Sequence, residues 1–161
     1  MEKLTFRKAS ESDAEKIHKN LELCSNQMYN EHGLTHWIPV YPIDKIVDDI
    51  KSKEVYVVEL DGIIVGNFIL SNQKSSFWSD NCKSIYLSKL AVIPEYSGLG
   101  IGRRCMEYIE QMAKIKKYDF VRFDVYNKSI NTIKFYEKLD YKTIGEAKTR
   151  RFVVLLMEKR V

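Results

Sequence analysis

The chain has 161 residues, 45% of them hydrophobic and 30% charged, a size and balance that predict one globular domain, residues 1–161, with a full core. Its net charge of +4 comes from lysines and arginines interspersed with Asp and Glu, not from a basic stripe, so nucleic-acid binding is not expected. No apolar run approaches the roughly 20 residues that span a bilayer, the first residues lack a signal-peptide core, and three cysteines make no disulfide framework, which predicts a cytoplasmic protein with no membrane partner.

Leu4-Thr5-Phe6-Arg7 alternates as a strand does. Ser12 and Glu15 have capping-box spacing, and Ala14, Ile17, Leu21, Cys24 and Met28 then recur at helical steps until Gly33. Leu34–Tyr41 reads as a loop, and Pro42 opens a short helix with Ile43, Ile46, Val47 and Ile50. Val55–Leu60 and Ile63–Leu70 are strands joined by Asp61-Gly62, a strong hairpin signal. A polar loop, Ser71–Asn81, precedes a strand at Ile85–Val92. The helix after Gly102 is expected to bury Cys105, Tyr108 or Ile109, Met112 and Ile115. Phe120–Val125 reads as a strand, Ile130–Leu139 as a helix, and Thr143–Glu146 and Phe152–Glu158 as closing strands. This order predicts an α+β layout with a mixed sheet.

Between the strand ending at Val92 and the next helix lies Ile93-Pro94-Glu95-Tyr96-Ser97-Gly98-Leu99-Gly100-Ile101-Gly102-Arg103-Arg104. Glycines at every second position let the backbone come close to a bulky anion. A helix N-terminus supplies free N–H donors and the positive end of the helix dipole. A nucleotide-like diphosphate ligand is therefore expected. A P-loop would need Gly-Lys-Ser/Thr where Gly102-Arg103-Arg104 stands, and a dinucleotide fold needs G-x-G-x-x-G near the domain start. The competing reading is a tight turn whose glycines serve only packing.

The run Leu90-Ala91-Val92-Ile93-Pro94 with Gly98, Gly100 and Gly102 resembles motif A of the GNAT superfamily of acetyl-CoA-dependent N-acetyltransferases. Ser97 stands where that motif has Arg or Gln. Phe135-Tyr136-Glu137-Lys138-Leu139-Asp140-Tyr141 resembles the family's second signature, with Ser129 in place of its Asn, Asn127 and Asn131 nearby, and Asp140 in place of its Gly. Asp tolerates the left-handed conformation a helix end often uses. The resemblance implies a GNAT-like fold, a mixed and mostly antiparallel central sheet flanked by helices on both faces.

It further implies an N-acetyltransferase moving acetyl from acetyl-CoA to a primary amine, of a small molecule or of a peptide or protein, by direct attack in a ternary complex. The alternative is a non-catalytic acyl-CoA-binding or protein-interaction module. The expected coenzyme contacts are Leu90, Val92, Ser97, Gly98, Leu99, Gly100, Ile101, Gly102, Arg103, Ser129 and Asn131, with the Val92 N–H as an oxyanion donor. Tyr136 is the expected proton donor to the leaving thiolate, a role suited to a phenol of pKa about 10. Trp37 and Tyr41 are expected to line the acceptor site. Glu31, His32, His36, Asp80 and Tyr86 are open candidates for the base.

No metal is expected, because Gly33 interrupts the His32/His36 spacing. Cys24 and Cys105 are expected in the core, and Cys82 in the polar loop. Asp44, Asp48 and Asp49 form a local acidic cluster that a cationic acceptor would favour. The chain is expected to act as a monomer or homodimer.

Overall fold

The computed structural model describes residues 2–161. Eleven regular elements follow one another: β1 (Leu4–Lys8), α1 (Ala14–His32), α2 (Ile43–Ser52), β2 (Glu54–Leu60), β3 (Ile63–Ser71), β4 (Ser84–Val92), α3 (Ile101–Ile115), β5 (Phe120–Tyr126), α4 (Ile130–Lys138), β6 (Lys142–Lys148) and β7 (Val153–Arg160). The strands pair in the order β1-β2-β3-β4-β5-β7-β6. β1/β2, β2/β3, β5/β7 and β6/β7 are antiparallel, and β4/β5 is parallel. This is the mixed, mostly antiparallel α+β sheet expected. The chain forms two compact units, one from the N-terminal segment through Leu70 with Lys89–Cys105, the other from Ser71–Ser88 with Met106–Val161.

In the first unit, α1 and α2 bury one face each. Ala14, Ile17, Leu21 and Cys24 recur on α1, and Ile46 anchors α2. They meet Val55, Val57, Ile69 and Ala91 in one cluster. Burying each large aliphatic side chain contributes about 1.5–3 kcal/mol. Phe68 packs on the other side of the hairpin, stacked on Tyr56 at 5.1 Å and tilted toward Phe6 at 6.3 Å. The hairpin turns at Asp61 and Gly62, both with positive φ (50° and 83°), as a two-residue turn of primed type requires.

The helix start differs from the expected Ser12/Glu15 box. A 3-10 turn at Glu11–Asp13 precedes α1, so the box moves back two residues. The Asp13 carboxylate accepts from the Ser10 N–H at 2.8 Å. Arg7 also pairs with Asp13 at 2.8 Å, and its guanidinium holds that carboxyl down at about 2.

In the second unit, Phe123 on β5 packs against Tyr136 of α4 (4.2 Å) and Tyr141 (5.0 Å). α4 ends in a Schellman motif. The Asp140 N–H donates to Glu137 O at 3.0 Å and the Tyr141 N–H to Tyr136 O at 3.1 Å, with Asp140 at φ 70°. The left-handed Asp140 is as expected. Buried Arg122 is gripped by both Asp80 oxygens (2.8 and 2.7 Å) and by Glu158 (2.9 Å), and stacks on Trp78 and Phe120. One expectation fails on α3: Cys105, Met106, Ile109 and Ala113 are buried, whereas Ile115 is 73% exposed. The helix starts at Ile101, not after Gly102, and its last turn carries Ile115 outward.

Candidate active site

The end of β4 is shaped by its neighbours within the first unit. Gly66 on β3 lies so close that a Cβ there would sit 2.6 Å from the Ala91 carbonyl oxygen. Buried Asn67 donates through Nδ2 to the Lys89 carbonyl at 2.9 Å, and Lys89 takes the left-handed conformation, φ 53°. The Ile93 N–H donates to Val65 O at 2.9 Å, and the Cys24 thiol donates to Val92 O at 3.3 Å. Cys24 is therefore a core residue with a backbone contact; burial pushes its thiol up to about 11 and keeps it protonated. Leu90 and Val92, on either side of buried Ala91, are half-buried.

Sequence reasoning missed Gly66, Asn67 and Lys89. A glycine and an asparagine inside the apolar run Ile63–Leu70 were the available signal for a close backbone approach. Nothing in a lysine announces a positive φ.

After Val92 the chain makes a 3-10 turn at Pro94–Tyr96. Ser97 turns its Oγ back onto Pro94 O at 2.9 Å, so its side chain closes the turn. Gly98 and Gly100 are both at φ 79°, and a Cβ on either would meet nothing within 4 Å. Leu99 between them is 61% exposed, while Ile101 is buried and anchors the helix. The Arg104 N–H makes the first bond of α3, to Gly100 O at 3.1 Å. The amides ahead of it belong to the turn that lacks intrahelical acceptors. No acid stands in that first turn, and Arg103 and Arg104 are exposed. The result is an open, glycine-floored, positively biased helix start, with the chemistry of an anion cradle.

A cavity of about 150 Å³ lies in the same unit, lined by Leu21, His36, Trp37, Pro39, Val40, Tyr41 and Lys89. It brings together the two aromatics predicted for the acceptor site. Ser25 Oγ donates to Trp37 O at 3.1 Å and fixes that stretch of loop on α1. Tyr41 donates its hydroxyl to Asp49 at 2.7 Å, and burial with that bond pushes the phenol well above its usual value. Lys89 Nζ sits 4.8 Å from the Tyr41 ring centroid. Burial and then the Lys89 charge hold His36 down at about 4, so it is neutral at pH 7.

In the second unit Tyr136 is 7% exposed, with Phe135 at 5.0 Å and Tyr141 at 5.8 Å besides Phe123. Ser129 caps α4 from a buried position, its Oγ without a hydrogen-bond partner among the described residues, and Asn131 is exposed. Asp80 is engaged with Arg122, which pulls its carboxyl down to about 2, unsuited to accept a proton from an amine. Glu31 and His32 stand exposed at the end of α1, and Tyr86 packs on Trp78 at 6.2 Å. Among the described residues, no three His, Cys, Asp or Glu side chains group as a metal site, and no helix is long and apolar enough to cross a membrane.

The family model described as "Acetyltransferase (GNAT) domain" matches residues 51–143. A GNAT-family acetyltransferase from Listeria monocytogenes superposes with TM-score 0.78 at 22% identity, covering 98% of this chain and 95% of that one. The ribosomal-protein-S18-alanine N-acetyltransferase of Escherichia coli gives 0.75 at 14% identity, over 98% and 94%. YncA from Salmonella typhimurium, solved with its cofactor acetyl-CoA, gives 0.72 at 16%, over 98% and 94%. At these identities the likeness is one of fold. The chain has no match among curated proteins.

Proposed function

Because the chain belongs to the GNAT acetyltransferase family and is an acetyl-CoA-dependent acetyltransferase, we propose that it acetylates a primary amine by direct attack in a ternary complex. The observation that carries this reading is the open turn from Ser97 to Gly102. Two left-handed glycines there leave empty the space that side chains would fill. That floor fits a diphosphate. Gly98, Gly100 and Gly102 with the backbones of Ser97, Leu99, Ile101 and Arg103 would hold it, and the Arg103 guanidinium adds charge. Leu90 and Val92 would present main-chain groups to the pantetheine arm, with Ser129 and Asn131 as further contacts. Bound acetyl-CoA supplies the acetyl group as an activated thioester.

This chain's residues then bind, orient and move protons. The acceptor lies against Trp37 and Tyr41. The amine nitrogen attacks the acetyl carbon as the carbon–sulfur bond breaks, and sheds one proton to solvent. The Val92 N–H donates to the acetyl oxygen while charge builds there. Tyr136 gives the departing sulfur its proton, a contribution of about 10²–10⁴-fold for a positioned acid. The test is thiol release from acetyl-CoA over a panel of primary amines, with the acetylated product identified by mass. Thiol release that does not depend on any amine overturns the reading.

A further inference from the structure

The acceptor cavity has a charge character that its aromatic walls do not reveal. Among the described residues that line it, none is a carboxylate, and Lys89 is the cation. His36 beside it is neutral at pH 7. Asp49, bonded to the Tyr41 wall, is buried and already engaged: one oxygen accepts the Tyr41 hydroxyl at 2.7 Å and the other lies 3.4 Å from Lys53 Nζ. The acidic cluster on α2 thus spends a carboxylate on holding Tyr41, and does not present it to an incoming amine.

Lys89 is placed there by the fold. Its backbone is left-handed at φ 53°, with its carbonyl taken by Asn67. A strand residue in regular geometry alternates faces with its neighbours; this break in the strand sets Lys89 against the face of Tyr41. The cavity, about 150 Å³, is smaller than the roughly 300–1,000 Å³ of sites that enclose drug-sized ligands, so one small group fits.

We propose that the acceptor is a small amine bearing a carboxylate beside an apolar group, of the amino-acid class, with Lys89 receiving the carboxylate and Trp37 and Tyr41 the apolar part. This rests on reading the cavity as the acceptor site. A polycation is disfavoured by the same lysine.

The experiment compares matched amines: L-leucine with 3-methylbutylamine, L-phenylalanine with 2-phenylethylamine, L-leucyl-L-leucine as the peptide source of the same chemistry, and spermidine as the polycation. Wild-type kcat/KM is expected to favour each acid over its decarboxylated partner by about tenfold or more, as one charge-assisted hydrogen bond supplies. Lys89→Gln is expected to erase that preference and Lys89→Glu to reverse it. Turnover of leucine but not of the dipeptide identifies the free amino acid as the source; turnover of both extends the class to peptides.

Equal rates on the matched pairs, preference for spermidine, or a preference that survives Lys89→Gln overturns the proposal. Should a Lys89 variant not fold, wild-type inhibition decides: N-acetyl-leucine should inhibit about tenfold more strongly than N-(3-methylbutyl)acetamide, and equal inhibition overturns the proposal. Trp37→Ala separates the two layers. If it raises the KM of every amine while Lys89→Gln leaves the preference unchanged, the site stands and the charge inference falls. If it leaves every KM unchanged, the acceptor-site reading itself falls and takes the inference with it.

Discussion

At the scale of single residues, the proposed chemistry can be tested by adding or removing a few atoms. Gly100 has φ 79° and open space where a Cβ would stand, so a side chain added there enters the space proposed for the diphosphate and meets no protein within 4 Å. Gly100→Val is expected to weaken coenzyme A binding at least about tenfold by calorimetry, with some loss of stability from a β-branched residue at positive φ. Unchanged affinity in a folded variant removes the turn from the binding site. Tyr136→Phe keeps the ring against Phe123 and Tyr141 and deletes one hydroxyl. A fall in kcat of about tenfold or more, with coenzyme affinity barely changed, is the expected result. A wild-type rate across pH would make Tyr136 a packing residue. The two family signatures in the sequence name both positions as candidates. No such signal marks Lys89, because its place at the cavity follows from a backbone conformation that lysine rarely adopts.

At the scale of elements, β3 and β4 show how local pattern and tertiary demand combine. Alternation and apolar content marked both strands, and Asp61-Gly62 marked the turn. Their mutual approach was set by Gly66, where a Cβ would press on the Ala91 carbonyl at 2.6 Å. Gly66→Ala must push the two strands apart, at a cost of about 1–3 kcal/mol. A melting temperature lower by several degrees is the expected outcome, since each kcal/mol moves a domain of this size by about 2–4 °C. Unchanged melting would mean the approach is slack. The α1 start misled for a related reason. The sequence holds two overlapping boxes, Ser10/Asp13 and Ser12/Glu15, and Arg7 from β1 selects the first by pairing with Asp13.

At the scale of the whole molecule, acid stability follows from three groups shifted the same way. Asp13 and Asp80 are held at about 2, below the ordinary 3.8, chiefly by hydrogen bonds from Arg7 and Arg122. His36 is held at about 4, below 6.5, by burial and then Lys89. Each folded-state value lies below the unfolded one, so the unfolded chain binds protons first as pH falls. The His36 contribution is present above about 6.5 and is lost toward about 4; those of the two aspartates are present above about 3.8 and are lost toward about 2. Denaturant midpoints across pH 7 to 2.5 should therefore fall in two stages. His36→Gln should flatten the first, and Asp13→Asn with Asp80→Asn the second. A midpoint independent of pH between 6.5 and 4 would contradict the reading of His36.

Local pattern was enough to mark the strands and helices, though not each helix start, along with the glycine turn and the two signatures that point to the family, because each depends on neighbours a few residues away. Periodicity, turn chemistry and helix ends are local physics, and so survive in a one-dimensional reading. Tertiary structure alone decided which carboxylates remain available. Asp80 is spent on Arg122, 42 positions along the chain, and Asp49 on Tyr41. It also decided that Lys89 joins Trp37 and Tyr41 around one cavity. Those outcomes depend on desolvation and on contacts that periodicity does not show, between distant segments for Asp80 and Lys89 and between a loop and the following helix for Asp49, which set charge and proton affinity only once the chain has folded.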